Sequence, residues 1–349
     1  MINLHHGECL SIMRTMPDNS VDAIVTDPPY FGVKDDDWDN QWKSAAHFIE
    51  WIGELSEQWQ RILRPNGSLY CFASPRMAAR VEVKIGETFN VLNSIRWEKP
   101  LDNSERRHVA QIAEKDLARS YYPSGERIIF AEQFAANEAM TFADYELNGQ
   151  VFAGLKQWFR DKAKLAGITN DKFNTSLGFA SNGGGVASGV IGDKIQFAMP
   201  TAEVYAKMRT AFPVFDREYE ELRTQYEELR TQYEELRRPF NVTADVPYTD
   251  VWTFKTVQAY PGKHVCEKPL ALMEHIILAS TKPGAIVFDP FMGSGSTGVA
   301  AVLNGRSFIG CEMEAKHFKN ASDRIRKSQA APRLFDAPKE TFTQLSIEP

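Results

Sequence analysis

Apolar positions recur along the chain with two spacings, and the alternation of those spacings predicts the elements. Leu4 opens a short strand that runs into Gly7-Glu8-Cys9. A helix over Leu10–Met16 stops at the turn residues Pro17-Asp18-Asn19-Ser20. Val21-Asp22-Ala23-Ile24-Val25 is a compact apolar run with a strand's composition, and Pro28-Pro29 end any ladder because they donate no N–H and hold the chain extended. Between residues 44 and 63, Phe48, Ile49, Ile52, Leu55, Trp59 and Ile62 repeat at helical spacing, the signature of an amphipathic helix laid on a sheet. Arg64-Pro65-Asn66-Gly67 ends it, and Ser68–Phe72 reads as the next strand. A helix near 75–86 and strands at Val91–Trp97 and Arg127–Phe130 continue the rhythm.

The same alternation returns late in the chain. Tyr248–Trp252 is strand-like, and Pro269 sits at the preferred first turn of a helix over Leu270–Ser280. Ala285–Phe288 is a strand, followed by a glycine-rich loop, a helix over Val299–Leu303 and a strand from Ser307 that ends at Glu312. Helices alternating with strands predict an α/β fold: a mixed, mostly parallel twisted sheet with helices on both faces, plus a mainly helical insert.

Three stretches break the rhythm. Residues 33–42 are acidic and turn-rich and read as a loop beside the Pro-Pro turn. Residues 99–119 carry Arg106, Arg107, His108, Lys115 and Arg119, where a solvated loop and a phosphate-contacting loop both fit. Residues 151–212 hold twice as many Lys and Arg as Asp and Glu and pair short helices, including Phe152–Ala166 and one near 201–212, with Gly-containing turns. That pattern suits either a helix-turn-helix DNA reader, with Lys172 on its surface, or a plain helical insert. From 219 to 237 the unit Tyr-Glu-Glu-Leu-Arg-Thr-Gln repeats with period seven. Tyr219, Leu222, Tyr226, Leu229, Tyr233 and Leu236 form one narrow stripe on a charged helix, with Glu three residues before Arg in each unit. An antiparallel arm, a strut against the body and a homodimer contact all remain open, and the short repeat favours the strut. The expected organisation is 1–135 and 241–330 as two halves of one α/β domain, 136–240 as the insert with its heptad helix at 216–238, and 331–349 as a tail.

Composition narrows the class without naming a function. The 349 residues are 43% hydrophobic and 25% charged, an ordinary globular balance. No apolar run reaches the length of a membrane span, and Met-Ile-Asn-Leu-His-His lacks a signal peptide's basic start and apolar core, which predicts a cytoplasmic protein. The four cysteines are scattered without a CxxC pair, which predicts reduced thiols and no metal. A net charge of −6 does not exclude nucleic acid, because binding needs only a local basic surface.

Candidate chemistry concentrates at two strand ends. Thr26-Asp27-Pro28-Pro29-Tyr30 presents a carboxylate, proline-linked carbonyls and an aromatic ring at a C-terminal strand end, where open α/β sheets bind ligands. Asp27 and the Pro28 carbonyl can accept from one amino group, and Tyr30 can stack on the ring that carries it. The plain alternative is a capped surface turn. Asp289-Pro290-Phe291-Met292-Gly293-Ser294-Gly295 is the second end, completed by the acid Glu312, the layout of a nucleoside-binding βαβ unit. Gly293, Gly295 and Gly298 satisfy GxGxxG, which equally admits a nicotinamide-dependent oxidoreductase or glycines that only permit close packing. No Lys precedes the Ser or Thr, so this is not a GxxxxGK[ST] phosphate loop.

The two motifs together, in this order, resemble the β group of S-adenosylmethionine-dependent amino-group DNA methyltransferases. The resemblance covers about 1–130 and 240–325. Val-Thr-Asp-Pro-Pro-Tyr-Phe, Trp-Asp-Asn-Gln-Trp, Val-Pro-Tyr-Thr-Asp-Val-Trp, Tyr-Pro-Gly-Lys-His and Cys-Glu-Lys-Pro look similar to prophage-encoded adenine methyltransferases of relaxed specificity. The resemblance implies the methyltransferase fold in a permuted motif order and a methyl transfer to adenine N6 in double-stranded DNA. It gives Asp27, Pro28 and Tyr30 the catalytic role and Tyr30 with Phe31 the flipped base. It gives Glu8, Cys9, Asp27, Lys268, Asp289, Phe291, Gly293, Gly295 and Glu312 the S-adenosylmethionine site. Glu312 would hold the ribose, Glu8 and Cys9 would border the adenine ring where the family more often has Asp, and Lys268 would approach the methionine end.

Cytosine-N4 methylation is the nearest alternative, and Asp at position 27 favours adenine. Cytosine-C5 chemistry needs a nucleophilic Cys after Pro, and none of the four cysteines follows Pro. An oxidoreductase leaves Asp-Pro-Pro-Tyr and the basic insert unexplained. A DNA-binding regulator with an inactive methyltransferase body leaves the complete motif set unexplained.

Overall fold

The computed structural model describes residues 1–32, 41–100, 121, 123–133, 143–179, 186–192, 197–241, 249–258, 260–264 and 266–330, with the backbone alone at 143–146. The chain forms two compact units, one of residues 1–133 and 239–349 and the other of residues 134–238.

The first unit is built on an eight-stranded sheet of order β1-β8-β7-β2-β3-β5-β4-β6. Its strands are β1 Ile2–His6, β2 Val21–Thr26, β3 Leu63–Ala73, β4 Phe89–Glu98, β5 Gly125–Gln133, β6 Val251–Thr253, β7 Ile286–Asp289 and β8 Ser307–Glu312. Only β5 runs against its neighbours, β3 and β4; the other ladders are parallel. The sheet is therefore mixed and mostly parallel, as the alternating pattern predicts.

Side-chain alternation sends each strand's residues into two cores. Ile24, Leu69, Cys71 and Phe288 face helices α1 (Cys9–Thr15), α2 (Ala45–Ile62) and α3 (Ala78–Ile85), where Leu10, Met13, Ile52, Trp59 and Val81 fill the layer. Val25, Tyr70, Phe72 and Val287 face the other way, onto Leu272, Ile276, Val299, Ala301, Ala321 and Ile325. Those residues belong to the helices at Leu270–Ser280, Ser296–Leu303 and Ala315–Ala330. Burial of both faces explains why these strands read as near-continuous apolar runs. The Arg64–Gly67 turn expected from sequence is instead an irregularity inside β3: Val21 pairs with Leu63, and Ala23 already pairs with Ser68. Among the described residues no helix is long and apolar enough to cross a membrane.

The second unit is helical: α4 Ala143–Val151, α5 Ala153–Leu165, α6 Asn170–Ser176, α7 Val186–Val190, α8 Ala202–Ala211 and α9 Tyr219–Leu236. Helices α10 (Leu270–Ser280), α11 (Ser296–Leu303) and α12 (Ala315–Ala330) complete the numbering in the first unit. Phe152, Phe159, Phe173, Tyr205, Met208 and Phe215 form the insert's own core. The heptad helix α9 lays its stripe on that core. Leu222 is fully buried and Tyr226 stacks on Phe152 at 5.2 Å, whereas Leu236 at the far end is 49% exposed.

Candidate active site

Asp27 follows the last residue of β2, and Asp289 is the last residue of β7. These strands are hydrogen-bonded neighbours, with Ala23 opposite Val287 and Ile24 opposite Phe288. From this seam β2 passes through α2 to β3 on one side, and β7 passes through α11 to β8 on the other. Winding reverses here, which leaves a crevice at the strands' C-terminal ends. Two motifs some 260 residues apart in the chain thereby become adjacent.

At the β2 end the carboxylate of Asp27 enters a compact charge cluster. Lys268 Nζ donates to Asp27 Oδ2 at 2.6 Å and lies 3.1 Å from Glu126 Oε2. Tyr30 Oη donates to Glu126 Oε2 at 3.0 Å and also lies beside Asp27. Lys99 Nζ donates to Glu126 Oε1. Two carboxylates and two ammoniums thus balance in a nearly enclosed space, with side chains of Asp27, Glu126, Lys268 and Lys99 only 21%, 13%, 9% and 25% exposed. The Lys268 ammonium also sits 5.0 to 5.9 Å from the ring centres of Phe72, Tyr30 and Trp97, a partly aromatic cage that suits a cation. Asp27 Oδ1 is buried and makes no hydrogen bond.

Electrostatics separates the members. Burial raises the Asp27 pKa, and the neighbouring Glu126 carboxylate adds to that, against the pull of Lys268. Burial also acts to raise Glu126, but the Lys268 and Lys99 ammoniums overcome it and hold the carboxyl at about 2. Lys268 is held well above the usual lysine range: burial opposes its charge, and Asp27 and Glu126 more than restore it. Burial and the two carboxylates push the Tyr30 phenol far up, so it stays a donor. Pro28 and Tyr30 line a small recess together with Phe72, Ala73, Ser74 and Met77.

The β7 end is satisfied by its own chain. Asp289 Oδ2 accepts from Thr297 Oγ1 at 2.6 Å and Oδ1 from the Phe291 N–H at 3.0 Å. Burial, with the Asp27 and Glu312 carboxylates adding to it, pushes its pKa up to about 7. Gly293 and Gly295 have φ of +45° and +76°, so the turn needs glycine. A Cβ at Gly293 would stand 3.3 Å from the His264 ring, and one at Gly295 would stand 3.2 Å from Ala321. Glu312 reaches across from β8 and accepts from the N–H groups of Gly293 at 3.0 Å and Glu314 at 2.8 Å. The helix expected at Val299 begins earlier, at Ser296, so Gly298 is helical. Its missing side chain makes room for Ile325 and Phe308, at 2.5 and 2.6 Å from a Cβ.

Other sequence candidates are placed less directly. Glu8 caps α1, accepting from the N–H groups of Leu10 and Ser11 at 2.8 and 2.7 Å, which outweighs its partial burial and lowers its pKa. Cys9 is buried beside it, and burial together with Glu8 keeps the thiol protonated. Phe291 is half-buried, its ring 5.6 Å from Trp51. Phe31 is half-buried and packs against the α2 core, its ring 6.0 Å from that of Phe48. Lys268, expected at the cofactor's methionine end, donates to Asp27 and lies 3.1 Å from Glu126. Lys172 is exposed on α6, after a turn at Gly167 and the Thr169 cap. Arg106, Arg107, Lys115 and Arg119 lie outside the described residues. Sequence reading misses Glu126 and Lys99. The available signal is an acid at the start of a strand, Gly125-Glu126-Arg127, whose following residues are apolar.

Known proteins resemble this chain in sequence and fold. The profile of the N6/N4 DNA methylase family matches residues 21–323. DNA adenine methyltransferase YhdJ of Escherichia coli K12 is 24% identical over 330 residues, covering 92% of this chain and 81% of that protein. Type II methyltransferase M2.DpnII of Streptococcus pneumoniae is 51% identical over a shorter stretch of 79 residues, 22% of this chain and 30% of that protein. Among solved structures, the PvuII DNA methyltransferase (cytosine-N4-specific) superposes with a TM-score of 0.55 over 93% of this chain and 86% of its own, at 12% identity, a likeness of fold. With the profile spanning both strand-end motifs and most of the sequence, the chain belongs to the N6/N4 DNA methylase family.

Proposed function

We propose that the protein methylates the N6 amino group of adenine in double-stranded DNA, with S-adenosylmethionine as methyl donor. The observation that carries this reading is Asp27. One of its oxygens is fixed by an ammonium, the other is buried and unpartnered, and a proline carbonyl follows at once. An exocyclic amine is a poor nucleophile because its lone pair conjugates into the ring. Acceptance of its two N–H groups by Asp27 Oδ1 and the Pro28 carbonyl draws the nitrogen toward sp³ and frees that pair, so orientation and electrostatics do most of the work. The base must leave the duplex to reach this depth, and Tyr30, its hydroxyl anchored on Glu126, offers a fixed ring to stack on.

The strand-end crevice fits the donor. Gly293 and Gly295 hold a tight turn with positive φ at the strand end, and Glu312 stands beside it as a hydroxyl acceptor. Gly293, Gly295 and Glu312 would hold it, with Phe291, Asp289, Glu8 and Cys9 around them. When bound, the group supplies a methyl made electrophilic by its sulfonium. Arg106, Arg107, Lys115, Arg119 and Lys172 serve as DNA contacts in this reading, and similarity to prophage enzymes extends it to loosely specified adenines. Asp at position 27 favours adenine over cytosine, in agreement with the name of the Escherichia coli relative.

Incubation of the protein with S-adenosylmethionine and duplex DNA, followed by mass spectrometry of the digested nucleosides, tests this. N6-methyladenine is expected. N4-methylcytosine alone, or no methylated nucleoside, contradicts it.

A further inference from the structure

We propose that Glu126 is a positioning residue for this site: it draws the Lys268 ammonium and the Tyr30 hydroxyl onto its own carboxylate, and so keeps Lys268 on one oxygen of Asp27 while the other stays open for an amino N–H. The inference rests on the amine-methylation reading above and names a residue that neither strand-end motif contains.

Glu126 stands on β5, two strands away from β2, and its side chain reaches the C-terminal end of β2 from the far side of β3. There its Oε2 receives Tyr30 Oη at 3.0 Å and faces Lys268 Nζ at 3.1 Å, while Lys268 holds Asp27 Oδ2 at 2.6 Å. An ammonium with no second anion to face can bridge both oxygens of a single carboxylate and weaken both as acceptors. With Glu126 present the ammonium is shared between two anions, and Asp27 Oδ1 has no hydrogen-bond partner. Lys99 on Glu126 Oε1 removes the excess negative charge that a second buried carboxylate would bring, so Glu126 stays ionised and fixed. The Tyr30 bond adds a second function, because it fixes the ring beside which a base would lie. Glu126 touches neither reacting atom and acts through Lys268 and Tyr30.

Charge adds a signature that loss of packing would not produce. The groups facing Asp27 are Lys268, Glu126 and Tyr30, with Cys71 and Asp289 further off. Glu126 raises the Asp27 pKa, so removing its charge lets Asp27 ionise at lower pH. Glu126→Gln is therefore slower at the plateau, yet its acid limb moves down.

Single-turnover methylation of duplex DNA at saturating S-adenosylmethionine, across about pH 5 to 9, compares wild type with Glu126→Gln, and calorimetry gives cofactor affinity. The plateau rate is expected to fall at least ~30-fold, with cofactor Kd within ~3-fold and the acid limb displaced downward. A plateau within ~3-fold of wild type, or an acid limb that stays or rises, overturns the inference. If Glu126→Gln does not fold, Glu126→Asp keeps the charge but withdraws it by one methylene. A rate fall of ~10-fold or more is then expected, and a rate within ~2-fold of wild type overturns the role. A wild-type protein that methylates no amino group on DNA defeats the underlying reading and this one with it. An active wild type with an indifferent Glu126→Gln defeats only this one.

Discussion

Asp27 and Asp289 close neighbouring parallel strands, and each is followed by proline, yet their carboxylates live in different company. Asp27 faces an ammonium, a second carboxylate and a phenol, all carried on distant segments, and one of its oxygens has no hydrogen bond. Among the described residues Asp289 accepts from Thr297 and Phe291, within eight residues of itself, and both its oxygens are bonded. Local neutral donors staple a loop in place. A long-range charged cluster with an unpartnered acceptor stores an interaction that folding did not use, which is what a binding or reacting group requires. The same dipeptide at two strand ends thus meets two environments, set by neighbours and not by the motif itself.

The comparison can be broken most severely at Lys268. Lys268→Met would remove the ammonium that Asp27 and Glu126 share, leaving Lys99 on Glu126 alone. Loss of a buried pair's partner costs about 3–5 kcal/mol, so a large fall in denaturation midpoint is expected together with loss of methylation. A midpoint near that of wild type would show that solvent already compensates the cluster.

The Asp289 side is sharpened by pH. Its folded-state pKa of about 7 lies above the ordinary 3.8, so the folded protein retains a proton that the unfolded chain releases. Its contribution to stability is complete below pH ~4 and is lost as pH rises to about 7. Asp289→Asn removes that slope. Relative to wild type, its stability should improve by up to a few kcal/mol between about pH 4 and pH 8 in urea titrations. A constant difference across that range would mean Asp289 is already ionised in the fold. Glu126 has the opposite sign, because its pKa of about 2 lies below the ordinary 4.5. It stabilises the fold above about pH 4.5, and that contribution fades as pH falls toward 2.

A smaller effect is expected from Gly298→Ala, which places a methyl 2.5 Å from Ile325 and 2.6 Å from Phe308. Overpacking of this kind costs about 1–3 kcal/mol and should lower the thermal midpoint by a few degrees while leaving the Asp27 cluster unaltered. The smallest effect is expected at Lys172, far in sequence from either strand end. If it contacts a phosphate, Lys172→Ala should weaken DNA binding only a few-fold and lower the salt slope by about one, with cofactor binding unchanged.

Much of this arrangement was legible in the sequence, for identifiable reasons. The Val21–Val25 and Ala285–Phe288 runs announce strands because both their faces are buried, and the Asp-Pro that follows each marks its end. Glycines at 293 and 295 announce a turn because the backbone there is left-handed. What the sequence left out is pairing across distance. That β7 lies beside β2 is a matter of sheet order, and no local pattern states it. Glu126 escaped for the same reason: alone it is an acid at the start of a strand, and only β5 packed on β3 brings it to Tyr30 and Lys268. Glu8 shows the converse. The family resemblance puts it beside the cofactor's adenine ring, and the structure adds a local task that the sequence did not announce, the capping of α1.

The division between the two carboxylates is tested most directly by one paired measurement: single-turnover methyl transfer to duplex DNA by Asp27→Asn and Asp289→Asn, each saturated with S-adenosylmethionine. Asp27→Asn is expected to lose at least ~10³-fold in rate with cofactor affinity nearly intact, and Asp289→Asn to stay within ~10-fold of wild type. Equal losses in the two variants, or a near-normal rate for Asp27→Asn, would contradict that division.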